Sequence, residues 1–167
     1  HKKFIEANQS SMFSTRGKSK GQLKAPYKIA DEMIKQLANQ KLFKQLYEPG
    51  EKEVIVTGEI GGFPWKGKID SLRKMHGFFC DLKTTRDIHQ KIWDDQTRQK
   101  ENFVEAYGYY YQMAVYIELI RQTFDIDCLP FIFAVSKQTP PDVEALDFVS
   151  DESQELLDLA MQDILDK

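Results

Sequence analysis

The stretch Glu51 to Thr85, EKEVIVTGEIGGFPWKGKIDSLRKMHGFFCDLKTT, constrains the fold more than any other part of the chain. "EVIVTGEI" alternates and is rich in β-branched residues, "WKGKIDSL" follows a "GGFP" turn, and "FFCDLKTT" follows a second turn at "MHG". Connections this short join antiparallel neighbours, so the spacing predicts a three-stranded meander. The meander is not built for stability alone. Asp70 closes the second run, and Asp81 and Lys83 lie inside the third. Acids are depleted in strands, and a buried Asp or Lys is expensive unless it is paired or bound to a metal.

The rest of the chain supplies helices and further strands. Residues 8–24 are polar, Ser-rich and basic, and read as a loop or arm, so residues 1–25 are set apart from a single domain over 26–167. From Pro26 the pattern turns helical, with Ile29, Met33, Ile34 and Leu37 on its apolar face, and runs to "EPG" at 48–50. After the meander, "DIHQKIWDDQTRQ" reads as a helix capped by Thr85 or Asp87. "NFVEAYGYYYQMAVYIELIRQTF" reads as a long helix with Phe103, Tyr107, Tyr110, Ala114, Ile117 and Ile120 or Arg121 along one broad face. "CLPFIFAVSK" is a buried strand, "PPDVEALDFV" a turn and a short edge strand, and "SDESQELLDLAMQDILDK" an amphipathic helix opened by Ser150. The order predicts an α/β fold: a mixed central sheet of four or five strands flanked by helices.

Composition narrows the class. The 167 residues suit one domain with a real core, and 11 Phe and 7 Tyr argue against general disorder. A formal net charge of −3 argues against a protein that coats nucleic acid through bulk charge, though a local basic groove remains compatible with it. The two cysteines, Cys80 and Cys128, lie in apolar runs and read as reduced core residues; two are too few for a disulfide framework or a four-cysteine iron–sulfur cluster. The sequence as given reads as having no secretory signal and no apolar run near the ~18 residues a membrane span requires. A cytoplasmic protein with no membrane partner is the expectation.

The meander's charged residues converge. Asp81 and Lys83 are two apart, so they share a strand face, while Leu82 points the other way. A turn at "HG" brings Asp70 close to Asp81. Two nearby carboxylates repel unless a cation lies between them, and Mg²⁺ or Mn²⁺ prefers such oxygen ligands. A metal with a lysine beside it is equipped for phosphodiester hydrolysis. The alternative is an exposed Asp81–Lys83 ion pair, with Asp70 merely in a turn.

The larger pattern, "GKID" (Gly67 to Asp70), "DLK" (Asp81 to Lys83) and "QMAVY" (Gln112 to Tyr116) with a glutamate upstream, resembles the PD-(D/E)XK nuclease superfamily. Within it, the chain is most similar to the phage-type RecE-like exonucleases, with the lambda-exonuclease and RecB-nuclease groups as cousins. The resemblance implies a restriction-endonuclease-like core. It implies that Asp70, Asp81 and the Leu82 backbone carbonyl bind Mg²⁺ or Mn²⁺, and that Lys83 is the catalytic lysine. Gln112 would organise the site, with Tyr116 one helical turn on. Glu53 would be the upstream acid, its rivals being Glu51 and Glu59. It also implies an upstream metal-binding His that the sequence as given does not supply: His1 is at its very start, and His76 and His89 read as solvated.

The expected function is a Mg²⁺-dependent DNA exonuclease acting on duplex ends in phage-type recombination, with a single-strand annealing protein as partner. Self-association is left open. The alternative is an impaired nuclease-fold module that binds nucleic acid or a recombination partner. No glycine-rich phosphate loop and no Ser-His or Cys-His arrangement supports another hydrolase class. Arg16, Lys18, Lys20 and Lys24 read either as a solvated tail or as a phosphate-contacting arm, with Lys66, Lys68, Arg86 and Arg98 as further candidates for holding DNA.

Overall fold

The structure is a computed structural model that describes residues 7–95 and 97–167. His1 lies outside them. Helices α1 (Gln9–Met12) and α2 (Ala25–Asn39) come first, then a π-helical turn (Phe43–Tyr47). The meander follows as β1 (Glu51–Ile60), β2 (Phe63–Arg73) and β3 (Phe78–Thr85). Then come β4 (Ile92–Asp94), β5 (Gln99–Glu101), α3 (Phe103–Ala106), α4 (Tyr109–Phe124), β6 (Leu129–Ser136), β7 (Val143–Asp147) and α5 (Asp151–Leu165).

The main sheet has the order β1-β2-β3-β6-β7. All its pairs are antiparallel except β3 with β6, which run parallel in register from Phe78↔Leu129 to Thr85↔Ser136. This is the mixed α/β sheet expected from the sequence. One face packs Val56, Ile69, Leu72, Phe79 and Ile132 against Met113, Leu119 and Ile120 of α4 and Leu157 and Ala160 of α5. The other face packs Leu82 and Val135 against Met33 and Leu37 of α2 and Phe43 of the π-helical turn. The outer edge of β1 is closed by α4. Thr123 Oγ1 exchanges hydrogen bonds with the Thr57 backbone at 3.0 and 2.9 Å, and the Gln122 amide does the same with Glu59 at 2.8 Å each. These bonds occupy part of an edge that would otherwise be open to another strand.

Four local expectations are corrected. The first helix stops at Asn39, with Gln40 extended, and Ile34 is 53% exposed rather than part of the apolar face. "DIHQKIWDDQTRQ" is not a helix: it is a loop and the small β4–β5 hairpin. Asp87 accepts from His89 N and Asp94 from Thr97 N, and such local side-chain bonds compete with helical ones. The long aromatic helix is broken at Gly108, whose φ of 65° an L side chain rarely adopts, and Tyr107 is 60% exposed. Residues 8–24 are not simply a loose arm. Helix α1 is followed by a closed loop, with Ser14 N donating to Gln22 O at 2.9 Å and Gly21 N to Ser14 O at 2.8 Å.

The other expectations for these elements are met. Ser150 caps α5 by accepting from Ser153 N. Cys80 and Cys128 are free and buried, and burial pushes their thiols up to about 12 and about 11, so both are unreactive thiols rather than thiolates. Among the described residues no helix is long and apolar enough to cross a membrane.

Candidate active site

The site forms where the sheet departs from regular pairing. The β2–β3 ladder has only three register pairs, Arg73↔Phe78, Leu72↔Phe79 and Ser71↔Cys80. Asp70 is the next residue of β2, so it lies not at a strand end, as expected, but just past the end of a ladder. There the strands part, and the Leu82 N–H donates to Asp70 Oδ2 at 2.8 Å instead of to a backbone carbonyl. An extended residue turns its N–H and C=O to the same edge. The Leu82 carbonyl therefore also faces the gap that Asp70 enters.

β2 changes phase at the same point. Ile69 and Leu72, three apart, both belong to the core against α4, which a regular strand of period two does not allow. Opposite, Lys52↔Ser71 and Val54↔Ile69 pair, but Glu53 and Asp70 between them do not, and Glu53 has a φ of 57°. The irregularity re-aims Asp70 toward β3.

Asp81 and Lys83 project from the β3 face that α4 covers. Asp81 is only 3% exposed. Lys83 Nζ lies 2.7 Å from Asp81 Oδ2, so the buried carboxylate has the ammonium as its charge partner. Burial pushes the Asp81 carboxyl above the ordinary carboxylate value; Lys83 opposes the shift and Asp70 adds to it. Lys83 Nζ donates to Gln112 Oε1 at 2.6 Å, and Gln112 Nε2 to the Tyr116 hydroxyl at 2.9 Å. Gln112 and Tyr116, one turn apart on α4, thus link the lysine to the helix. Gly67 makes the docking possible: a Cβ there would lie 2.9 Å from Tyr116 Cε1 and 3.1 Å from Val56 Cγ2.

Asp70, Leu82, Asp81, Lys83, Gln112 and Tyr116 are therefore brought together. Glu53 is exposed and ion-paired with Lys68. Lys66, two residues before Lys68, is exposed, as are Arg86 and Arg98 on their loops and Arg16, Lys18 and Lys20 on theirs. Lys24 donates to Ser11 O at 2.6 Å, which ties it to its own loop. His76 contacts Arg73, and His89 contacts Asp142.

Two neighbours escape a reading of the sequence. Tyr109 lies under Lys83, with Nζ 4.6 Å from its ring centre. Its position three before Gln112 on α4 is a signal that could find it. Tyr47, in the π-helical turn, has its phenol pushed up to about 12, first by burial and then by the charges of Asp70 and Asp81. No periodicity marks a π-helical turn in advance.

The donor set fits a hard divalent cation. Two carboxylates flank a gap faced by a backbone carbonyl, and the buried one has Lys83 as its charge partner. Mg²⁺ needs only one or two carboxylates when waters complete its shell. Among the described residues no group of three His, Cys, Asp or Glu converges, so a metal here would rely on the carbonyl and water as well.

A sequence profile described as "PDDEXK-like domain of unknown function (DUF3799)" matches residues 1–167. No curated protein sequence matches the chain. Among solved structures, a protein of Eubacterium rectale described as a "Putative exonuclease" superposes with a TM-score of 0.78 and 34% identity, over 96% of this chain. The chain spans 57% of that structure's length. A second structure, described as SSO0001, aligns at 19% identity with a TM-score of 0.38, over 86% of this chain and 61% of its own length, which is too distant to support any argument. The mixed five-stranded sheet is restriction-endonuclease-like, and the chain belongs to the PDDEXK-like family whose profile spans it, within the PD-(D/E)XK nuclease superfamily.

Proposed function

We propose that this chain carries a Mg²⁺-dependent deoxyribonuclease site that hydrolyses phosphodiesters at duplex ends. The observation that carries the reading is the buried Asp81 carboxylate, ion-paired with Lys83 and set at a gap that Asp70 also enters. Asp70, Asp81 and the Leu82 carbonyl would hold the ion, with Mn²⁺ as a substitute. When bound, the ion would polarise a phosphoryl oxygen and lower the pKa of a coordinated water. Lys83, held between Asp81 and Gln112, would present positive charge where the phosphate gains negative charge in the transition state. Gln112 and Tyr116 fix the lysine's rotamer, and Tyr109 shields its far side.

Exonuclease action, a place in phage-type recombination and an annealing-protein partner are supported by the motif resemblance, and exonuclease action also by the likeness to the Eubacterium rectale protein. A cytoplasmic location goes with that reading. The basic residues of the 1–25 segment would hold the duplex beside the otherwise acidic site of the 26–167 domain. The test compares linear and covalently closed duplex DNA with Mg²⁺ or with chelator. Linear DNA should be degraded, closed circles spared, and chelator should stop the reaction. Lys83→Ala should lower the rate by at least about 10²-fold, the scale seen when a transition-state charge partner is removed. Equal cleavage by wild type and Lys83→Ala would place the site elsewhere. A second reading, a nuclease fold that binds DNA without cutting, is favoured by the pairing of Glu53 with Lys68 instead of with the metal-site acids. Tight DNA binding with no cleavage in Mg²⁺ or Mn²⁺ would select it.

A further inference from the structure

The exposed aromatic ring at the α3–α4 corner belongs neither to the core nor to the metal site. Tyr107 is 60% exposed, yet its backbone is firmly held. Asn102 and Glu105 form a reciprocal capping box, in which Asn102 Oδ1 accepts from Val104 N at 2.8 Å and Glu105 Oε2 accepts from Asn102 N at 2.8 Å. Tyr107 N then donates to Phe103 O, and Gly108 turns the chain with positive φ. A corner of this kind accepts almost any side chain at the outward position. An aromatic there exposes apolar area without any gain to the core.

The ring is the outer member of a short aromatic series that ends on the proposed catalytic lysine. Tyr107 and Tyr109 lie 6.0 Å apart between ring centres at an interplanar angle of 38°, and Tyr109 carries Lys83 Nζ 4.6 Å over its face. Tyr109 meets the buried Phe103 edge-on, with ring centres 6.0 Å apart. Nucleotides in a strand rise about 3.4 Å each, so a base on Tyr107 belongs to the same few nucleotides as a phosphate facing Lys83. Rigid exposed aromatics beside a phosphate site are how proteins hold unpaired bases.

We infer that Tyr107 is a stacking platform for an unpaired nucleobase within a few nucleotides of the scissile phosphate, so that the preferred substrate is a strand whose end is frayed or single-stranded. The inference rests on the nuclease reading for the location of the phosphate. A base inside a duplex stack offers no free face, so the platform engages only nucleotides that have left it. Tyr107 therefore acts in substrate positioning and specificity and takes no part in the chemistry.

The experiment measures binding, with Ca²⁺ in place of Mg²⁺ to suppress turnover, of a labelled short single strand, a duplex with an unpaired end, and a blunt duplex. Tyr107→Ala should weaken the first two by about 5- to 150-fold, equivalent to the ~1–3 kcal/mol of one stacked base, and the blunt duplex much less. Tyr107→Trp should retain affinity, and its indole fluorescence should be quenched on binding. Equal affinity of Tyr107→Ala and wild type for single strands overturns the inference. So does a change of sedimenting species in Tyr107→Ala with DNA binding intact, which would make the ring a protein contact. The two readings fail separately. Cleavage by wild type, with binding unchanged in Tyr107→Ala, removes the platform alone, whereas Tyr107-dependent binding without cleavage removes the nuclease alone.

Discussion

The two hairpins of the meander are made from adjacent strands but serve different ends. β1–β2 pairs along nearly its whole length, from Glu51↔Leu72 to Ile60↔Phe63, and α4 side chains close its outer edge. β2–β3 pairs for three residues and then opens. In the closed hairpin, backbone groups satisfy one another and side chains are free to pack. In the open one, a side-chain carboxylate must satisfy the Leu82 N–H, and the space that opens holds Asp70 beside Asp81. A sheet can thus create a polar site by leaving a ladder unfinished, provided that no buried N–H is orphaned.

The contrast between the hairpins breaks most visibly at Asp70. Asp70→Ala leaves the Leu82 N–H without its partner and should destabilise the fold by about 1–3 kcal/mol in urea melts. Asp70→Asn keeps a carbonyl oxygen in the same place and should recover most of that loss. Equal stability of the alanine variant and wild type would mean that the gap is closed by backbone or water. Gly67→Ala tests the regular side of β2. Its Cβ meets the Tyr116 ring and Val56, so the loss should fall in the lower half of the ~1–3 kcal/mol typical of overpacking. Displaced Tyr116 should loosen Gln112 and lower activity, and a Gly67→Ala enzyme as active as wild type would disconnect α4 from the site. The smallest effect is expected at the basic residues of the N-terminal segment. Alanine at Arg16, Lys18, Lys20 and Lys24 should leave turnover at saturating DNA nearly unchanged. It should flatten the salt dependence of DNA binding, by about 0.7–0.9 in slope for each phosphate no longer neutralised. An unchanged slope assigns DNA holding to Lys66, Lys68, Arg86 and Arg98.

Much of this arrangement is legible in the sequence. The meander is readable because its strands alternate and its turns are short, and β3 has the bounds its apolar run suggests. Asp81 and Lys83 share a face by simple parity. Asp70 is legible as a site residue but not as the partner of Leu82 N–H, because parity says nothing about where two strands separate. Glu53 stands out only by its place upstream, and the structure alone reveals its positive φ and its Lys68 partner. The β4–β5 hairpin mimics a helix in sequence because Asp87 and Asp94 bond to nearby backbone, a local competition that hydrophobic periodicity does not register. Tyr107 falls on an apolar face only if the helical pattern is continued through Gly108, where the chain in fact turns.

The most direct test of the central claim, that the opened β2–β3 hairpin is a divalent-metal site, is a calorimetric titration of Mn²⁺ into metal-free protein without DNA. Wild type and Lys83→Ala should both bind, because the lysine is no ligand. Asp81→Asn and Asp70→Asn should lose most of the affinity while remaining folded. Equal Mn²⁺ binding by all four proteins, or none by wild type, would contradict the claim that the unfinished ladder exists to hold a metal.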